Sequence, residues 1–166
     1  PAGGISLQNA GARELVIIAY RTGWATARCA ALATLDDEDR GRVPRLFAVA
    51  GSPGAHYDTY FQQNLAALGV PVRRIVREEQ DPWLLNAREL APDADYVVSG
   101  EPTDVVVNEV ELSTGTPPRF LLVGPADEVV EGAERLVQRG VGKQQIDVLS
   151  WGRDGRWQPE DYAALA

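Results

Sequence analysis

Three glycine-bearing turns hold the residues best suited to chemistry in this chain: Tyr20-Arg21-Thr22-Gly23-Trp24, Ala50-Gly51-Ser52-Pro53-Gly54 and Val123-Gly124-Pro125-Ala126-Asp127. In the first, a glycine that opens a helix lets the backbone come close to a ligand, and helix N-terminal amides suit a pyrophosphate. Thr22 can cap that helix and donate its hydroxyl to phosphate, and Arg21 adds positive charge. A Thr-Gly helix start also serves plain capping, so both readings stay open for this turn by itself. In the second turn Ser52, beside Gly51, can reach a ribose or phosphate oxygen. No acid stands at that strand tip and no Arg lies within the loop, and a Gly/Pro-rich surface turn is the equal alternative. In the third, Gly124-Pro125 makes a sharp exit from a strand, with Pro125 preset for the helix that follows.

The remaining reactive side chains point to structure. His56 is the one histidine, without a Ser or Cys partner in triad-like context, so a surface position is expected and most His-rich zinc and non-haem iron sites are ruled out. Cys29 is the one cysteine, which leaves no disulfide framework or thiolate cluster, fits a reducing, cytoplasmic compartment, and predicts buried packing among the alanines around it. Asp36, Asp37, Glu38 and Asp39 read as a solvated helix end, since the ligand spacing of a calcium loop is missing. Trp151, Trp157 and Tyr162, at and beyond the start of a 151–166 tail, are expected to dock on the body, with a partner-binding surface as the alternative. No metal ligands and no acid, base or nucleophile emerge.

The elements that must position these turns alternate along the chain. Glu14–Tyr20 is a nearly continuous apolar run, as expected of a strand buried on both faces. Gly23 to about Leu35 predicts a helix through Trp24, Ala27, Ala31 and Leu35. Arg45–Ala50 is a second strand, Tyr57, Tyr60, Phe61, Leu65 and Leu68 mark an amphipathic helix, and Val70–Val76 is a third strand. Asp81–Leu90 reads as a short helix, Ala94–Ser99 as a strand or extended connection, and Thr103–Leu112, with its three valines in a row, as helix or strand. Arg119–Val123 is a strand, Ala126–Arg139 a helix with Val129, Val130, Ala133, Leu136 and Val137 on one face, and Gln145–Ser150 the final strand. Strands separated by such helices predict an α/β, doubly wound domain: a mostly parallel sheet of about five strands, with helices on both faces. Ligands of such sheets bind beyond the strand C-termini where the strand order reverses, which is where the three turns lie.

Bulk properties agree. The 166 residues suit a single domain over 1–166, with 45% apolar and 24% charged residues in the ordinary globular range. A formal net charge of −8 with scattered arginines argues against nucleic-acid binding. No apolar run approaches the roughly 18–20 residues needed to cross a bilayer, and the Pro1-Ala2-Gly3-Gly4 start lacks the features of a signal peptide. Because the chain opens without a methionine, further sequence upstream is expected.

In order and spacing, the three turns resemble the nucleotide-binding domain of the ferredoxin–NADP reductase superfamily, which includes flavohaemoglobins and the reductase components of oxygenases. Its first strand ends in a Gly-Gly-Thr-Gly-like turn, matched by Ala19 to Thr26; its second leads to a Gly-Ala/Ser-Arg-like loop and a helix near a Tyr, matched by Phe47 to Ser52 and Tyr57. Its Cys-Gly-Pro strand end, helix, Gly-Val and last strand are matched by Val123-Gly124-Pro125, the helix, Gly140-Val141 and Ile146–Leu149. The match spans roughly Ser6 to Trp151. Two departures stand out: Tyr20-Arg21 replaces two glycines, whose absence can block the approach of pyrophosphate, and Val123 replaces the cysteine.

The resemblance implies that Tyr20, Arg21, Thr22, Gly23, Gly51, Ser52, Val123, Gly124 and Pro125 line a cleft for NADH or NADPH. It implies an NAD(P)H-binding half of a flavin-dependent oxidoreductase that positions the nicotinamide for hydride transfer to FAD. The FAD-binding barrel of the family, with its Arg-x-Tyr-Ser-like motif, is not in this chain, so the flavin-bearing domain or subunit is the expected partner and the chain alone is expected to be inert. The alternative is a non-catalytic interaction or scaffold module that keeps the fold and has lost the site.

Overall fold

The computed structural model describes residues 14–35, 43–50, 64–77, 96–110 and 117–151. Within them six strands form one sheet: β1 Leu15–Tyr20, β2 Arg45–Ala50, β3 Val72–Val76, β4 Tyr96–Val98, β5 Arg119–Pro125 and β6 Ile146–Trp151. The order across the sheet is β4-β3-β2-β1-β5-β6 and every pairing is parallel. Helices α1 Trp24–Leu35, α2 Pro102–Glu109 and α3 Ala126–Gln138 connect the strands, and residues 64–67 form a further helical turn. The doubly wound α/β fold expected from the sequence is therefore present, with Tyr96–Val98 supplying a sixth strand at the edge.

The central strand explains why the sheet closes around it. All six residues of β1 are buried, and they alternate between two cores. Val16, Ile18 and Tyr20 face Phe47, Ile75, Phe120 and Leu122 together with α2 and α3, through Val106, Val129, Ala133 and Leu136. Leu15, Ile17 and Ala19 face Leu46, Ala48, Leu121 and Val123 together with α1, through Trp24, Ala27 and Ala31, and with Leu65 of the 64–67 turn. A strand covered on both sides has no use for polar alternation, hence the unbroken apolar run. Burying a side chain such as Ile17 or Ile18 is worth roughly 1.5–3 kcal/mol.

Helix α2 settles the ambiguous valine segment. Pro102 stands at its first turn, where a fixed φ favours helix and no amide is lost. Val106 enters the core and Val105 and Val107 pack against it, so tertiary contacts outweigh the weak helix propensity of β-branched residues.

Three expectations are corrected. Leu68, expected on the apolar face of an amphipathic helix, is exposed just past the helical turn at residues 64–67. Cys29 is exposed: α1 buries Trp24, Ala27, Ala31 and Thr34, and Cys29 projects about 200° around the helix from Ala27. Val137 is exposed at the margin of α3, whose buried stripe runs through Val129, Gly132, Ala133 and Leu136. Gly132 belongs to that stripe because the Tyr20 ring crosses α3 at this point: a Cβ there would overlap the phenol oxygen and lie 3.2 Å from Leu122 Cδ2.

Gly132→Ala should therefore destabilise the fold by about 1–3 kcal/mol in urea melts, despite the helix propensity alanine adds. The loss should shrink in a Tyr20→Phe background, which removes the clashing oxygen and leaves the ring carbon at 2.9 Å and Leu122 Cδ2 at 3.2 Å from the new methyl. An unchanged loss in the double variant would contradict this packing.

Candidate functional site at the β1 and β5 turns

The strand order reverses between β1 and β5, since the chain runs outward from β1 through β2, β3 and β4 and then returns to β5 on its other side. The first and third glycine turns leave the sheet there, side by side. Gly23 packs so closely that a Cβ would overlap the Val123 carbonyl oxygen. Gly124 has φ +153, and a Cβ on it would come within 2.7 Å of both Tyr20 Cβ and the Tyr20 carbonyl oxygen. Glycine is thus required by close approach at both positions, and the two turns form a single unit.

The predicted residues divide as follows. Tyr20 is buried, its ring in the α2/α3 core, so its backbone and not its phenol borders the turn. Arg21, Thr22 and Gly23 form a 3-10 turn that runs directly into α1. Thr22 is exposed and stands inside this turn instead of before it, so it does not occupy the capping position expected of it. Val123 is buried in the α1 core, Gly124 is buried, and Pro125 ends β5 immediately before α3. Gly51 and Ser52 lie outside the described residues, as do His56, Asp36–Asp39, Asp81–Leu90 and the tail beyond Trp151. The structure thus brings together the first and third turns.

Arg21 carries a backbone φ of +47, the left-handed region that costs a non-glycine residue about 1–2 kcal/mol. The turn thus holds a backbone that favours glycine with an arginine in its place. Its side chain leaves the turn and pairs with Glu128 in the first turn of α3, Nε to Oε1 at 2.5 Å. The Arg21 side chain is 60% exposed and that of Glu128 only 9%, so the pair is buried on the side of the acid and open to solvent on the side of the cation.

Glu128 is the residue the sequence did not single out. An acid in the first turn of a helix reads as a partner for the helix dipole and nothing more; only the fold places it beside Arg21. Burial pushes its carboxyl above the ordinary glutamate range, Arg21 and Arg77 pull the other way, and Asp127 adds to the rise. Burial likewise raises the Tyr20 phenol, against Arg77 and a hydrogen bond with Thr103 of α2. Several buried polar atoms around the paired turns have no hydrogen-bond partner among the described residues: Trp24 Nε1 next to Gly23, Glu128 Oε2, Arg77 Nε, and Ser150 Oγ on β6, whose backbone pairs with Gly124.

No protein-family model matches the sequence, and no curated protein matches it. Among solved structures the chain is similar to the crystal structure of the Amycolatopsis cytochrome P450 reductase GcoB, with a TM-score of 0.56 and 18% identity. The match covers 86% of this chain and 39% of the reductase, so the chain spans about two-fifths of that protein's length. At this identity the likeness concerns the fold: the α/β architecture is shared with part of a reductase. No helix among the described residues is long and apolar enough to cross a membrane.

The Glu128 environment predicts a pH-dependent stability. With the folded pKa raised, folding favours the protonated acid; that contribution is complete below the ordinary glutamate pKa and is lost as pH rises through the folded value. Glu128→Gln should therefore melt higher than the parent at about pH 7 and lose this advantage below about pH 4. A variant that is less stable at neutral pH would show that the ion pair outweighs burial.

Proposed function

We propose that this chain is the NAD(P)H-binding half of a flavin-dependent oxidoreductase, holding the nicotinamide for hydride transfer to FAD carried by another domain or subunit. The observation that carries this reading is the close-packed pair of glycine turns at the point of strand-order reversal, where α/β sheets bind their ligands. The similarity of fold to part of a cytochrome P450 reductase supports it.

The residues present fit a dinucleotide better than their types suggest. Tyr20 replaces a glycine of the family turn, yet its ring is buried in the core and presents no side chain to a ligand. Arg21 replaces another, yet it holds a left-handed backbone and sends its side chain toward α3. In this reading the amides of Thr22 and Gly23 and the Thr22 hydroxyl hold the pyrophosphate, while Gly124 and Pro125 leave room for the nicotinamide end and Val123 supports it from below. Gly51 and Ser52 serve the adenosine side. The nicotinamide supplies the hydride; the protein supplies position and exclusion of water and contributes no acid, base or nucleophile.

A second reading, a scaffold module that has lost the site, is favoured by the engagement of Arg21 by Glu128 and by Val123 in place of the family's cysteine. Thermal shift and calorimetry with NADH and NADPH separate the two. A ligand of the native state raises its stability, by about 2.7 kcal/mol at a hundredfold excess over Kd. One of the two nucleotides should raise the melting temperature, and Thr22→Ala should weaken binding roughly threefold to tenfold with little effect on the free protein. No shift with either nucleotide at millimolar concentration would favour the scaffold.

A further inference from the structure

The ion pair across the two turns is built unevenly. Glu128 is held in the first turn of α3 with its side chain buried, and its Oε2 has no hydrogen-bond partner among the described residues. Arg21 hangs over it from the β1 turn, largely exposed, on a backbone that favours glycine. Such an arginine can exchange one oxyanion for another, because the guanidinium binds carboxylate and phosphate with the same geometry. It adjoins Thr22 and Gly23 in sequence, within reach of a phosphate on their amides.

We propose that Glu128 sets the affinity of the β1 turn for phosphate, by occupying the Arg21 guanidinium until an anionic ligand takes it over, so that ligand binding is coupled to protonation of Glu128. This rests on the nucleotide reading above and specifies its regulation.

The groups facing Glu128 define the consequence. Arg21 reaches it from the β1 turn, Arg77 acts on it from the end of β3, Asp127 precedes it on α3, and the α3 N-terminus lies beneath it. Tyr20, next to this cluster, interacts with Arg77, Glu128 and Glu131 and stays a neutral phenol because it is buried. When a phosphate recruits Arg21, Glu128 loses its nearest cation, gains an anionic neighbour and keeps Arg77 and Asp127 as its charged company among the described residues. A buried carboxylate in that position takes up a proton. Burial already holds its carboxyl above the ordinary glutamate range. Proton uptake on binding means tighter binding as pH falls.

Calorimetry of the full chain with ADP-ribose tests this, run in two buffers of different ionisation enthalpy to count protons. The wild type should tighten about tenfold between about pH 8 and about pH 5.5 and take up about half a proton per ligand at the midpoint. Glu128→Gln should bind about as tightly at both pH values as the wild type does at the lower one, with no proton uptake; Arg21→Ala should bind weakly at both. Circular dichroism at each pH confirms that every variant is folded. If wild type and Glu128→Gln share one affinity at all pH values, or the same pH slope, the coupling is overturned while the nucleotide site stands. If ADP-ribose binds neither protein at any pH, the nucleotide reading falls and the coupling with it.

Discussion

Where β1 and β5 leave the sheet, two backbones run closer together than any side chain would allow. Gly23 rests on the Val123 carbonyl and Gly124 on Tyr20. This contact is the origin of both helices that flank the site, since α1 follows Gly23 and α3 follows Pro125. It also fixes Tyr20, whose ring passes from the turn into the core and meets α3 at Gly132. Turn, strand and helix are therefore registered against one another by steric limits and not by adjustable polar contacts. A site assembled this way has its backbone geometry set before a ligand arrives, the condition under which positioning alone can contribute to catalysis.

The two ends of the sheet are used differently. The N-terminal strand ends are fastened by charge: Arg119 donates two hydrogen bonds to Asp147 Oδ2 at 3.0 and 2.7 Å, Arg73 pairs with Glu109 at 2.9 Å, and Arg45 donates to the Glu109 carbonyl at 3.0 Å. The C-terminal ends carry the glycine turns, one left-handed arginine and several buried polar atoms without a hydrogen-bond partner among the described residues. A base closed by ion pairs and a top that holds buried polar atoms without partners among the described residues set the two ends of the sheet apart. The Arg21–Glu128 pair partly closes this top with the protein's own charges.

How much of this was legible in the sequence follows from the kind of signal each feature leaves. β1 is readable because a strand buried on both faces writes an unbroken apolar run, and β5 likewise. The segment around Val105–Val107 is not, because β-branched residues favour strand locally and only packing against the sheet makes it helix. Cys29 misleads because its alanine neighbours do not show which side of α1 faces the core. Tyr20 and Arg21 look like obstructions when read as residue types; whether they obstruct depends on where their side chains go, which the chain decides through contacts with Gly132 and Glu128 more than a hundred residues away. Glu128 leaves no signal of its own, since its meaning arises only when the fold brings α3 beside the β1 turn.

The central claim is that the paired turns after β1 and β5 form a nucleotide site. Amide chemical shifts of the isotope-labelled chain, followed while NADH or NADPH is added, test it most directly, since they report where binding occurs as well as whether it does. Saturable shifts are expected, concentrated at Arg21, Thr22, Gly23, Trp24 and Gly124, with the β-strand amides at the opposite end of the sheet unmoved. Shifts confined to other surfaces, or none at millimolar nucleotide, would contradict it.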